Sequence, residues 1–212
     1  MRRHPLHHSP SRYTRPGTAP GDLKPPPDAE RIPVVLSLMD YDATELVELP
    51  DCTLEEARGY FDTPRATWLH VQGTPSEELL REIGATFGLH ALALEDVQHT
   101  GQRPKVDDYG EQLFTIVGIP RVVTDSSLPG QLSIFLGEHW IVSFHGGDSD
   151  PFEPVRQRAR LTESRLRARG VDYLFYALID TAVDLHFPVL EVLGDRIETL
   201  ELTVFDDPSR EA

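Results

Sequence analysis

Residues 172–205 read DYLFYALIDTAVDLHFPVLEVLGDRIETLELTVF, and the rest of the chain is organised around them. The pattern predicts one long helix. At roughly 100° per residue, with Asp180 as zero, Asp184, Glu191, Asp195 and Glu198 all fall within roughly 60°. His186, Leu190, Leu193, Ile197, Leu200 and Val204 gather on the opposite side. One face is a carboxylate stripe and the other is apolar. The apolar positions advance by 4, 3, 4, 3 and 4 residues, the heptad spacing of a seam that packs on a partner helix. Pro188 removes one helical hydrogen bond and is expected to kink the rod without ending it. Asp206-Asp207-Pro208 is expected to stop it, because proline disfavours helical backbone in the preceding residue.

The surroundings of this helix are those of a globular protein. The chain has 212 residues, 39% hydrophobic and 26% charged, which suits one domain with appendages. No stretch approaches the roughly 18–20 apolar residues of a bilayer-crossing helix. The amino-terminal MRRHPLHHSPSRYTRPG lacks the apolar segment of a secretory signal. A single cysteine, Cys52, leaves no internal disulfide and no thiolate cluster for zinc. The net charge of −15 is opposite to the basic stripe of a nucleic-acid binder and favours cations as partners.

Residues 1–30 hold seven of the 18 prolines and are expected to form a disordered, Pro-rich tail. VVLSLMDY and ATELVELP then read as two strands. Thr53-Leu54-Glu55-Glu56 is a capping box opening a short helix. TWLHVQG is a strand. Thr74-Pro75-Ser76-Glu77 reads as a second capping box with proline at the first helical position, and its helix stops at Gly88. LHALALEDVQHT predicts a third helix. PKVDDYGEQLFTIVGIPRVV is strand material, and LFTIVGI, apolar on both faces, is expected to be a central buried strand. QLSIFL and HWIVSF flank Gly137-Glu138, expected as a two-residue hairpin turn. Asp150-Pro151-Phe152-Glu153 caps a basic helix expected to run to Gly170. This order predicts an α+β or mixed α/β fold with helices on both faces of the sheet.

The common catalytic signatures are absent: no GxxxxGK[ST], no GxGxxG after a strand, no GxSxG and no HExxH. The chain is therefore read as no enzyme. His139 and His145 lie at opposite ends of one strand, too far apart to share a metal. What remains is oxygen chemistry. Hard cations such as Mg²⁺ take carboxylates and keep several waters. The candidate ligands are Glu95 and Asp96 on the short helix, and Asp180 and Asp184 on the long one. Neighbours at i and i+1 point roughly 100° apart on a helix, so one carboxylate can face along the subunit and the other outward.

At these residues the sequence resembles a known family. Leu89-His90-Ala91-Leu92-Ala93-Leu94-Glu95-Asp96-Val97 followed by Gln102-Arg103-Pro104-Lys105-Val106 is similar to the hallmark of the cytoplasmic domain of CorA-type magnesium and cobalt transporters. Gln131–Leu136, Phe152–Arg156, Asp172-Tyr173-Leu174, Ile179-Asp180, Val183-Asp184 and Phe187-Pro188-Val189-Leu190 continue the resemblance in order, and Trp68 fits it. It runs from about residue 16 to the end.

The resemblance implies a three-layer α/β/α sandwich with a mixed sheet, over residues 31–170. A long helix follows over 171–207, the first of an antiparallel pair. It also implies a funnel-shaped homo-pentamer at the cytoplasmic face of the cell membrane, in which Mg²⁺ bound between neighbouring cytoplasmic domains holds the channel closed. Asp96 matches the carboxylate that faces the next subunit. Glu95 and Asp180 match a second metal position, and Asp184 lies one turn on. Co²⁺ and Zn²⁺ are alternative ions. The sequence stops at Ala212, before the stalk, the two membrane helices and the Gly-Met-Asn signature of the family. It is therefore expected to be the metal-sensing amino-terminal part of a transporter, with a free-standing metal-binding or interaction module as the alternative.

Overall fold

The computed structural model describes residues 21, 23, 31–120 and 130–206. Most of the Pro-rich segment, the expected strand residues after Pro120 and the helix stop at Asp207-Pro208 lie outside the described residues. Leu23 is described and is buried in the core.

Seven strands form one mixed sheet: β1 (Val35–Tyr41), β2 (Leu46–Leu49), β3 (Ala66–Gln72), β4 (Lys105–Asp108), β5 (Leu113–Ile119), β6 (Gly130–Leu136) and β7 (Trp140–His145). Their order is β2-β1-β3-β7-β6-β5-β4. Two antiparallel blocks, β2-β1-β3 and β7-β6-β5-β4, are joined by the parallel pair of β3 with β7. The helices are α1 (Leu54–Arg58), α2 (Glu77–Phe87), α3 (Ala91–Gln98), α4 (Glu153–Arg160), α5 (Val171–Asp184) and α6 (His186–Asp206).

Successive side chains of a strand point to opposite faces, and the register divides the core accordingly. Leu38, Leu69, Val142, Phe135 and Phe114 stand opposite one another across five strands. They pack with Leu54, Leu80, Ile83, Ala93, Leu94 and Val97 from α1, α2 and α3. Met39, Trp68, Ile141 and Leu136 form the matching row on the other face. They pack with Phe152, Val155 and Ala159 around α4, and with Leu174, Ala177, Leu178 and Ala182 of α5. The sandwich is thus α1–α3, sheet, α4–α5.

Several local expectations are corrected. β5 is well buried but lies one strand in from the β4 edge, and the central position belongs to β7. The cap of α2 is Ser76, whose hydroxyl accepts from the Leu79 N–H at 3.2 Å. Thr74 instead accepts the Ile32 N–H at 3.3 Å. Gly137 donates its N–H to the Trp140 carbonyl at 2.9 Å, so the hairpin reverses on Glu138 and His139. The basic helix ends at Arg160, and residues 161–169 form turns. That bend buries Leu166 and Arg167, and the Arg167 guanidinium donates to the carbonyls of Asp42 and Ala159. The capping box at Thr53 is present as expected.

The long helix is interrupted at Leu185, which keeps right-handed backbone (φ −60°, ψ −17°). Pro188 has no N–H to offer the carbonyl of Asp184 four residues back, and its ring crowds that carbonyl. The interruption therefore falls one turn before the proline. α5 is core on its inner side. α6 leaves the sandwich: Leu193 is 46% exposed and Leu200 58%, and Leu190, Ile197 and Val204 are exposed with them.

A buried polar row lies under the sheet beside α4. Trp68 Nε1 donates to Ser143 Oγ at 2.8 Å. Ser143 Oγ lies 2.7 Å from Nδ1 of His70. Indole nitrogen only donates, which leaves the serine proton for Nδ1 and the ring proton of His70 on Nε2. That nitrogen faces Asp150 Oδ1 at 3.9 Å. Asp150 is already held by Arg156 at 2.9 Å, and Arg156 also donates to Ser37 at 2.9 Å and stacks 4.3 Å from the Trp68 ring centre. His70 is 1% exposed. Burial, then the nearby charges of Arg156 and His145, push its pKa well below the usual histidine value.

Candidate functional site

The third helix is short, so its position depends on its neighbours. Gly84 of α2 lets the helices close: a methyl group there would meet Leu94 Cδ1 at 2.5 Å. Gly88 turns the chain between them with left-handed backbone (φ 63°), a conformation that glycine adopts without strain. His90 caps α3, its Nδ1 accepting from the Leu92 N–H at 3.3 Å, and its ring stacks on Tyr109. At the other end, Gln131 of β6 donates to the Asp96 carbonyl at 2.9 Å. Its carbonyl oxygen accepts from the N–H groups of Gly101 and Gln102, both at 3.1 Å. One buried side chain thereby ties the end of α3 and the following loop to the sheet.

Val97, Leu94 and Ala93 face the core, which turns Glu95 and Asp96 to the half-exposed side of α3. Glu95 Oε2 accepts the Gly21 N–H at 2.7 Å. Asp96 Oδ2 is 2.8 Å from Lys105 Nζ, and the same ammonium is 2.6 Å from Asp107 Oδ2. Burial, the largest single influence, would lower the Lys105 pKa, but the two carboxylates together hold it above the usual lysine value.

Asp180 and Asp184 belong to the other helical layer. Asp180 is half-exposed on α5 and accepts from the Tyr176 hydroxyl at 3.2 Å, which raises the tyrosine pKa. Asp184 is exposed at the end of the same helix. The structure brings Glu95 and Asp96 together as neighbours, and likewise Asp180 and Asp184 one turn apart. It places the two pairs on opposite sides of the sheet. Among the described residues no three His, Cys, Asp or Glu side chains gather to hold a metal ion. The donors present are carboxylates, which suit a hard cation that keeps most of its water. At Asp96 the Lys105 ammonium already stands in as a cation. Sequence reasoning missed Lys105 and Asp107 as members of this site. The available signal was the alternation in Lys-Val-Asp, which puts both side chains on one face of a strand.

A family model described as CorA-like Mg2+ transporter protein matches residues 65–212. The chain belongs to this family. The cobalt/magnesium transport protein CorA of Thermotoga maritima is 31% identical over 180 residues, which are 83% of this chain and 51% of that protein. The chain thus spans about half the length of this CorA relative. Among solved structures, the complete CorA magnesium transporter of Methanocaldococcus jannaschii is similar with a TM-score of 0.62 at 17% identity, covering 85% of this chain and 54% of that one. The ZntB cytoplasmic domain of Vibrio parahaemolyticus is similar with a TM-score of 0.57 at 10% identity, covering 78% and 65%. At these identities the structural likeness concerns the fold, and the fold is the α/β/α sandwich expected from the sequence. No helix among the described residues is long and apolar enough to cross a membrane.

Proposed function

We propose that this chain is the metal-sensing part of a CorA-type divalent-cation transporter. In this reading it works at the cytoplasmic face of the membrane, in a homo-pentamer, and Mg²⁺ held between neighbouring copies keeps the channel closed. The observation that carries the reading is the pair Glu95-Asp96. It is turned outward on a helix pinned at both ends, while Asp180 and Asp184 occupy the opposite layer. Carboxylates on opposite sides of one sheet are far apart within a copy, and adjacent copies around a ring would bring them face to face. A divalent ion there offsets the repulsion between them, so losing it loosens the contact between copies. Asp96 would contribute to the site facing the next copy. Glu95 and Asp180, with Asp184 beside it, would contribute to the second.

In the full-length transporter, Asp96→Ala and Asp180→Ala should each weaken the protection that Mg²⁺ gives against protease. Protection that stays as Mg²⁺-dependent as in the wild type in both variants refutes the reading. The likeness to the ZntB domain favours Zn²⁺ as a second candidate ion, and Co²⁺ a third after the T. maritima relative. Uptake of each ion into vesicles containing the full-length protein separates them.

A further inference from the structure

Lys105 lies on the edge strand β4, paired with Ile116 of β5, and Asp107 follows it on the same face of the strand. Its ammonium bridges Asp96 on α3 and Asp107, and sits 5.7 Å from the centre of the Phe114 ring. All three side chains are partly open to solvent, Asp96 the least: 36% for Lys105, 21% for Asp96 and 37% for Asp107. The two carboxylates are fixed differently from the cation between them. Asp96 is held through its backbone by Gln131, and Asp107 by the ladder of β4 with β5. Lysine carries a compact charge on a flexible four-carbon stem with three donors. It is the one member of the trio that can move without moving an element.

We propose that Lys105 is a resident counter-cation that competes with the divalent ion for Asp96, and that Asp107 is the place it withdraws to when the ion arrives. The inference rests on the reading that Asp96 takes up a divalent cation. Without a cation, the ammonium neutralises Asp96 and keeps α3 from carrying an uncompensated charge. A doubly charged ion exchanges for it on Asp96, and the ammonium closes fully onto Asp107. Lys105 is therefore a positioning residue that sets the ion concentration at which the site fills. It weakens the site, as a sensor of an abundant ion requires.

The test is a titration of the full-length transporter with Mn²⁺, a paramagnetic stand-in for Mg²⁺, with Mg²⁺ as competitor. The readout is the broadening of the methyl signals of Leu94 and Val97, which flank Asp96 on α3. Removing a competing half-exposed ion pair should lower the midpoint about fivefold in Lys105→Met. Lys105→Arg should restore a midpoint close to the wild type. Asp107→Asn removes the place of withdrawal, so it should raise the midpoint severalfold with Lys105 present and change it little in the Lys105→Met background. Asp107→Asn also carries the test should Lys105→Met fail to fold. An unchanged or raised midpoint in Lys105→Met overturns the inference, as does an equal effect of Asp107→Asn in both backgrounds, provided Asp96→Asn abolishes the broadening. Broadening that ignores Asp96→Asn, or is absent in wild type and Lys105→Met alike, overturns the reading of Asp96 on which the inference rests.

Discussion

Mild acid should destabilise this domain through His70. In the unfolded chain its imidazole takes up a proton near pH 6.5. In the folded chain burial, Arg156 and His145 keep it neutral well below that. The unfolded state therefore binds more protons below pH 6.5, and stability falls with pH there. Above 6.5 both states are neutral and the group contributes nothing to the pH dependence. With a folded imidazole that stays neutral throughout, one such group costs about 1.4 kcal/mol by pH 5.5. The assay is urea unfolding at pH 7.5 and 5.5, followed by the fluorescence of Trp68, which lies against Arg156 and Phe152. His70→Asn supplies the control. Its amide oxygen can take the Ser143 hydroxyl proton in place of Nδ1, and it does not titrate. The variant should be less stable at pH 7.5 by about 2 kcal/mol, for the volume left empty. It should lose about 1.4 kcal/mol less than the wild type between the two pH values. Titrating groups remote from His70 cancel in that difference. Equal losses in the two proteins would show that His70 is protonated in the folded state, and that the Trp68–Ser143–His70 row does not exclude charge.

Gly84→Ala should destabilise the domain by about 1–3 kcal/mol in the same urea assay, because its methyl group overlaps Leu94 and the helices must part. The exposed seam of Leu190, Leu193, Ile197, Leu200 and Val204 should make the chain self-associate with concentration in sedimentation experiments, and Leu193→Glu with Leu200→Glu should abolish it. A clean monomer at high concentration would refute that expectation.

The elements with their own chemistry were legible in the sequence. Thr53 and Glu56 announce a helix start by reciprocal hydrogen bonding, and Gly88 announces a helix end. The apolar run from Val34 to Tyr41 reads as a strand, and in the structure Leu36 and Leu38 face one helical layer while Met39 and Tyr41 face the other. What depends on distant parts was not legible. The apolar pattern of β5 says that it is buried without naming its neighbours, so its place beside the edge strand stayed hidden. The run of arginines from 156 to 169 reads as one basic surface helix, yet Arg156 and Arg167 are buried and the helix ends between them. At the site, Glu95, Asp96, Asp180 and Asp184 could be chosen from ligand chemistry and family resemblance. That the pairs stand in opposite layers is a matter of topology. That Lys105 reaches Asp96 across nine residues depends on where α3 meets the edge of the sheet.

The parallel pairing of β3 with β7 also bears on how the protein is made. When β3 leaves the ribosome it can complete a three-stranded antiparallel sheet, with β1 between it and β2, but its other edge stays bare. The strand that covers it is roughly 70 residues further along, which at ordinary elongation rates is about 3.5 to 14 s of synthesis. Throughout that interval Thr67, Leu69 and Val71 belong to an open row of unpaired amides and carbonyls, of the kind that recruits strands from other chains. The two helices made in the interval, α2 and α3, pack against one face and leave this edge untouched. The nascent chain is thus most exposed to misassembly in its middle third, and a pause in translation between Gln72 and Trp140 would lengthen that exposure in proportion.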